Sequence, residues 1–142
     1  MTESEGAART RHLAWSGGFV VTVAWALLAS VLAYQERMPD MFREYDKAVH
    51  FVVSGALAFF LDGALRRRMI GGPRIKVPLA IVVLIVPMGI EEYLQRYAIF
   101  RTSSLGDFAA DFAGVVALTW LSRWAGRLSE PSAADAADDR PE

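Results

Sequence analysis

Three groups of ionisable and amide residues stand at the ends of apolar stretches, where a charge is costly and marks either a functional site or a structural ion pair. Asp46, Lys47 and His50 enter one stretch, Glu91, Glu92 and Gln95 close another, and Arg101, Asp107 and Asp111 lead into the last. Asp46 and His50 are four residues apart and Lys47 and His50 three, so one helical face can carry them, with Ser54 a turn deeper. A carboxylate at that spacing can hold an imidazole in one tautomer and raise its basicity, as general-base chemistry uses. The plainer alternative makes Asp46 a helix-dipole charge and Lys47 a snorkelling cation.

Glu92 and Gln95 are three apart and Glu91 and Gln95 four. Successive residues are about 100° apart on a helix, so only one of the two glutamates can point inward. Pro87, just upstream, removes a backbone donor, frees the carbonyl of Val83 and predicts a kink. Asp107, Asp111 and Gly114 fall on one helical stripe, and Ala110, Gly114 and Leu118 on its neighbour. Ala109, Ala113 and Ala117 form a small-residue ridge suited to close helix contact. Two aspartates one turn apart repel unless a cation, a shared proton or an arginine neutralises them. Arg101 is the nearest candidate, as a catalytic group or as a clamp holding its loop to the bundle. With no cysteine and no tight ligand spacing, no metal or other cofactor is expected.

The elements that must position these residues come from long apolar blocks. The chain has 142 residues, of which 54% are apolar and 22% charged. Ala14 to Tyr34 is free of formal charge, and its 21 residues span about 31 Å as a helix, the thickness of a bilayer core. Ala48 to Leu65, Val77 to Leu94 (with Pro78 in its first turn) and Leu105 to Trp124 are three further candidates. The expected fold is therefore all-α: an integral membrane protein of four transmembrane helices in an antiparallel bundle. Val31, Leu32 and Ala33 could pass for a signal-peptidase site, but the run exceeds a usual signal core and its flank carries Glu3 and Glu5, so the helix is read as uncleaved. The organisation is a polar flank over 1–13, the helical domain over 14–125, and a small, acidic tail over 126–142 that is too polar to order itself.

Lysine and arginine counts set the orientation. The N-terminal flank, the Arg66–Arg67–Arg68 loop and the end of the last helix carry nine such residues, and the other side five. Both termini are thus expected in the cytoplasm and the polar groups outside. The triple arginine reads as a topology signal and an anionic-lipid contact. Asp62 reads as the i, i+4 partner of Arg66, and His12 as part of an exposed flank. A net charge of −1 gives no argument for nucleic acid.

Asp46-Lys47-Ala48-Val49-His50-Phe51 resembles the DK-x-x-HF opening of the VanZ-like membrane proteins. Glu92-Tyr93-Leu94-Gln95 resembles their E-x-x-Q, and Arg101 through Ser104 and Asp107 to Asp111 and Gly114 their R-x-x-S-x-x-D-x-x-x-[N/D]-x-x-G run. The chain departs from the pattern at Asp111, where many members have Asn, and at Ile99-Phe100, where Pro-Gly often stands. The resemblance covers about half the chain. It implies a small multi-pass protein of the bacterial cytoplasmic membrane, like the family's namesake, an accessory factor in glycopeptide resistance. The binding set it implies is Lys47, His50, Glu92, Gln95, Arg101, Ser104, Asp107 and Asp111. Three readings follow. The first is an accessory envelope protein whose outward polar site binds a lipid headgroup, a cell-wall precursor or a lipophilic antibiotic. The second is a membrane enzyme acting on a polyprenyl- or phospholipid headgroup, with His50, Glu92 and Asp111 as candidate catalytic groups. In the third, the polar residues only lock the helices together.

Overall fold

The computed structural model describes residues 3–35, 45–95 and 105–128. It contains α1 (Glu3–Tyr34), α2 (Asp46–Ala64), a hairpin of β1 (Met69–Gly71) and β2 (Lys76–Pro78), α3 (Leu79–Gln95) and α4 (Leu105–Leu128). Among these residues three helices are long and apolar enough to cross a membrane: Glu5–Leu32 within α1, and the whole of α2 and α4. Helix α3 has 17 residues, a rise of roughly 26 Å, short of a bilayer core.

Helix α1 begins at Glu3, well before the apolar run, so the polar flank is itself helical. Thr10, Thr22 and Ser30 satisfy their hydroxyls on the carbonyls of Gly6, Gly18 and Ala26, one turn back. The third helix starts at Leu79 rather than Val77, because 76–78 pairs with 69–71 in the register Met69↔Pro78, Ile70↔Val77, Gly71↔Lys76. Val77 precedes a proline, which disfavours the α region there. The turn needs Gly71 at φ +127°, where a Cβ would also strike the Ile75 carbonyl.

Helix α2 is central, packing most extensively on α4 and next on α1. Trp15 meets Phe59 and Phe60, with ring centroids 5.1 and 6.1 Å away, and it lies over Gly63 while Phe60 lies over Gly18, so the first half of α1 packs on the end of α2 and the two run antiparallel. His50 meets Asp111 and Asp62 meets Arg123. Both pairs have the same sequence offset of 61 residues, so α2 and α4 run parallel and in register.

The seam between α2 and α4 is built from small and polar groups. Its buried residues are Ser54, Gly55, Ala58, Leu61 and Asp62 on one side, and Gly114, Val115, Thr119 and Ser122 on the other. Gly114 permits the approach: a Cβ there would run into the Phe51 carbonyl and lie 2.8 Å from Ser54 Oγ. The alanine ridge is not on this seam: Ala109, Ala113 and Ala117 are all exposed. Large apolar side chains point outward instead, among them Val21, Leu27, Val52, Ile90, Phe112 and Trp124. Large apolar outside and small polar inside is the reverse of a bundle folded in water.

Candidate functional site

The parallel setting of α2 and α4 brings their N-terminal ends together, and with them three carboxylates and an imidazole. Asp46 opens α2 and Asp107 lies in the first turn of α4. His50 Nδ1 lies 3.2 Å from each carboxylate oxygen of Asp111. Its Nε2 points to Asp46 Oδ1 at 3.7 Å, beyond hydrogen-bond length. The residue that orients the imidazole is therefore Asp111, across the seam, and not the Asp46 suggested by helical spacing. With Nδ1–H donating to Asp111, a neutral imidazole carries its lone pair on Nε2.

Ser54 braces this pair. Its hydroxyl donates to the His50 carbonyl at 2.6 Å and lies 3.2 Å from the Asp111 carbonyl, tying the two backbones at the level of the site. The side chains of His50 and Asp111 are 31% and 17% exposed, against 55% for Asp46, so the pair is recessed and its outer edge open. Lys47 is exposed on α2, as a snorkelling cation would be.

Ligand atoms of Asp46, His50 and Asp107 lie within 4.8 Å of one another. One imidazole nitrogen and two carboxylate oxygens are a donor set that a divalent cation accepts, and Asp111 would stand behind the imidazole as its orienting carboxylate. Among the described residues this is the grouping whose atoms a cation could share. Helix α3 carries Glu91, Glu92 and Gln95 in its last turn, but their side chains lie outside the described residues, as do Arg101 and Ser104.

At the opposite end of the seam stands a second polar centre. Asp62, with 1% of its side chain exposed, accepts a hydrogen bond from Arg123 Nη2 at 2.8 Å. The same nitrogen reaches the carbonyls of Arg67 and Arg68 at 3.0 and 3.2 Å. The expected Asp62–Arg66 pair is thus replaced by an interhelical one. The physical reason is that α2 stops at Ala64, so Arg66 is no longer on the helical face of Asp62. Arg66 N–H bonds to the Gly63 carbonyl and Arg67 N–H to that of Asp62, both residues having φ near +55°. These are the two bonds of a Schellman cap, with arginine where glycine is usual. Sequence reasoning passed over Asp62, Arg67 and Arg123 as site residues. The constant offset of 61 between polar groups of the two spans was the available signal.

The chain matches no family model, no curated protein and no solved structure. What can be said of function rests on the geometry and on the motif residues themselves.

Proposed function

We propose that the chain is a multi-pass protein of the bacterial cytoplasmic membrane, VanZ-like in kind, with four spans and both termini in the cytoplasm. Its His50–Asp111 centre faces outward and binds a lipid headgroup or a cell-wall-related ligand. The observation that carries this reading is the recessed, braced His50–Asp111 pair with Asp46 and Asp107 at its mouth. The reversed distribution of polar and apolar side chains supports residence in hydrocarbon, where small and hydrogen-bonding residues make the helix contacts. The short α3 would span by local thinning of the bilayer. A bound headgroup or antibiotic would meet Asp107 and the imidazole edge, with Arg101 as the fork that grips phosphate or carboxylate.

The second reading is a membrane enzyme on a polyprenyl- or phospholipid headgroup. It is favoured by the imidazole tautomer: Asp111 on Nδ1 leaves Nε2 as a base on the open side of the site. The test compares His50→Ala and Asp111→Asn with the unaltered chain in the producing cell. Normal membrane accumulation with altered envelope lipids or glycopeptide susceptibility supports a functional site. Accumulation with unchanged lipids and susceptibility refutes it, and product formation lost in His50→Ala selects the enzyme. Single cysteines at Arg43, Ser104 and Gly72, labelled by an impermeant thiol reagent, test the orientation. The first two should label in intact cells, and the third only after permeabilisation.

A further inference from the structure

At the end of the seam away from His50, α1, the segment after α2 and the end of α4 enclose a cleft of about 650 Å³. Its lining carries four arginines against one carboxylate, Glu5, and its other walls include His12 and Trp15. Two glycines shape it. A Cβ on Gly63 would collide with the Trp15 indole, and one on Gly126 with the Arg67 guanidinium, so each glycine seats one wall. Arg67 lies with its guanidinium carbon 5.5 Å from the centre of the Trp15 ring and its Nε 3.4 Å from the Ser122 carbonyl. An arginine stacked on an indole is held in one orientation before any ligand arrives. His12 Nδ1 is buried with no hydrogen-bond partner among the described residues, although the ring lines the cleft. A buried polar atom of this sort calls for a partner.

We propose that this cleft binds a phosphate group, as presented by the headgroup of an anionic phospholipid. The volume lies in the range of small-ligand sites. Arginine forks match phosphate oxygens in pairs, and the excess of cations favours a group of more than one negative charge. Trp15 offers an apolar wall to the glycerol backbone, as interfacial tryptophans do. The lipid source depends on the membrane reading above; the phosphate chemistry does not, and it is independent of what the His50 site binds.

The experiment uses the full chain in phosphatidylcholine nanodiscs, titrated calorimetrically with short-chain phosphatidic acid, short-chain phosphatidylcholine and inorganic phosphate. Phosphatidic acid should bind in preference to phosphatidylcholine, and less tightly as salt is raised. Arg9→Ala, on the exposed side of α1, and Arg66→Gly, which keeps the cap backbone, should each weaken binding roughly tenfold, the worth of one charge-assisted contact. Arg66→Gly should do so without loss of thermal stability, which separates ligand contact from folding. If inorganic phosphate binds as tightly as the lipid, the site is assigned to soluble phosphate compounds. Equal binding of both lipids, or phosphatidic acid binding unchanged in both variants, overturns the proposal.

Discussion

Arg123→Ala tests the α2–α4 seam most directly. The substitution removes a guanidinium 2.8 Å from Asp62 Oδ1 and leaves that carboxylate, 1% exposed, without its hydrogen-bonded counter-charge. Charge centres about 4 Å apart at an effective dielectric constant near 20 attract by about 4 kcal/mol. Breaking a buried pair by deleting one partner costs about 3–5 kcal/mol, because the survivor stays desolvated. The carbonyls of Arg67 and Arg68 also lose a donor, but Arg68 is exposed and water can replace it. The expected loss is therefore about 3–5 kcal/mol, read from denaturant unfolding of the full chain in micelles. Replacing both partners with apolar residues, Asp62→Leu with Arg123→Met, should restore most of it. Asp62 Oδ2 and Arg123 Nε are already buried without partners among the described residues, so the pair is incompletely satisfied. A loss under about 1 kcal/mol in Arg123→Ala, the worth of an exposed pair, would refute the reasoning. So would a double variant no more stable than the single one.

Neighbouring positions on α4 should respond in opposite ways: Gly114→Ala should cost about 1–3 kcal/mol through collision with the Phe51 carbonyl, while Ala113→Leu, on the exposed ridge, should leave the melting temperature unchanged. Arg66→Gly should raise stability by about 1 kcal/mol, since it relieves a left-handed non-glycine residue at the cap of α2, as read by thermal unfolding. In a His12→Gln background, which leaves His50 as the one histidine, Asp111→Asn should speed modification of the imidazole by diethyl pyrocarbonate. Unchanged reactivity would mean that Asp111 does not hold the ring. If the His50 centre accepts a divalent cation, Mn²⁺ should broaden the His50 ring resonances, and Asp107→Asn should abolish the effect; broadening that survives the substitution would remove Asp107 from the donor set.

The helices were legible because an apolar block is a local property, readable without knowing what it packs on. The ends were less so. The polar run from Glu3 carries no sign of continuing α1, so the sequence puts His12 in an exposed flank although it lines a cleft. Pairings across helices were the hardest. Spacing along one helix reports only neighbours on that helix, and this favoured Asp46 as the partner of His50 and Arg66 as that of Asp62. The real partners, Asp111 and Arg123, lie 61 residues away in both cases. The stripe of α4 that faces α2 was hidden for a related reason. Helix α4 has small residues on several stripes, and which stripe packs inward depends on the shape offered by Phe51 and Ser54. Arg101, Ser104 and the side chains of Glu92 and Gln95 lie outside the described residues, so their part in the site rests on the motif alone.

Two parallel helices account for much of the charge distribution without any ligand. Their dipoles add, so carboxylates are favoured where both N termini lie and cations where both C termini lie. Asp46 and Asp107 in the first turns, and Arg127 in the last turn of α4, follow that rule. Two other residues sit against a local preference. An imidazole near two helix N termini gains nothing from the field as a neutral ring, and a protonated one is opposed by it, yet His50 is held there by Asp111 and braced by Ser54. Arginine in the left-handed cap position of α2 is costlier than glycine, yet Arg66 occupies it and points its charge at a cleft already lined by arginines. Folding alone would choose otherwise at both positions. A residue kept against its local preference needs a gain elsewhere, and for His50 and Arg66 the open space beside each is where that gain has to be sought.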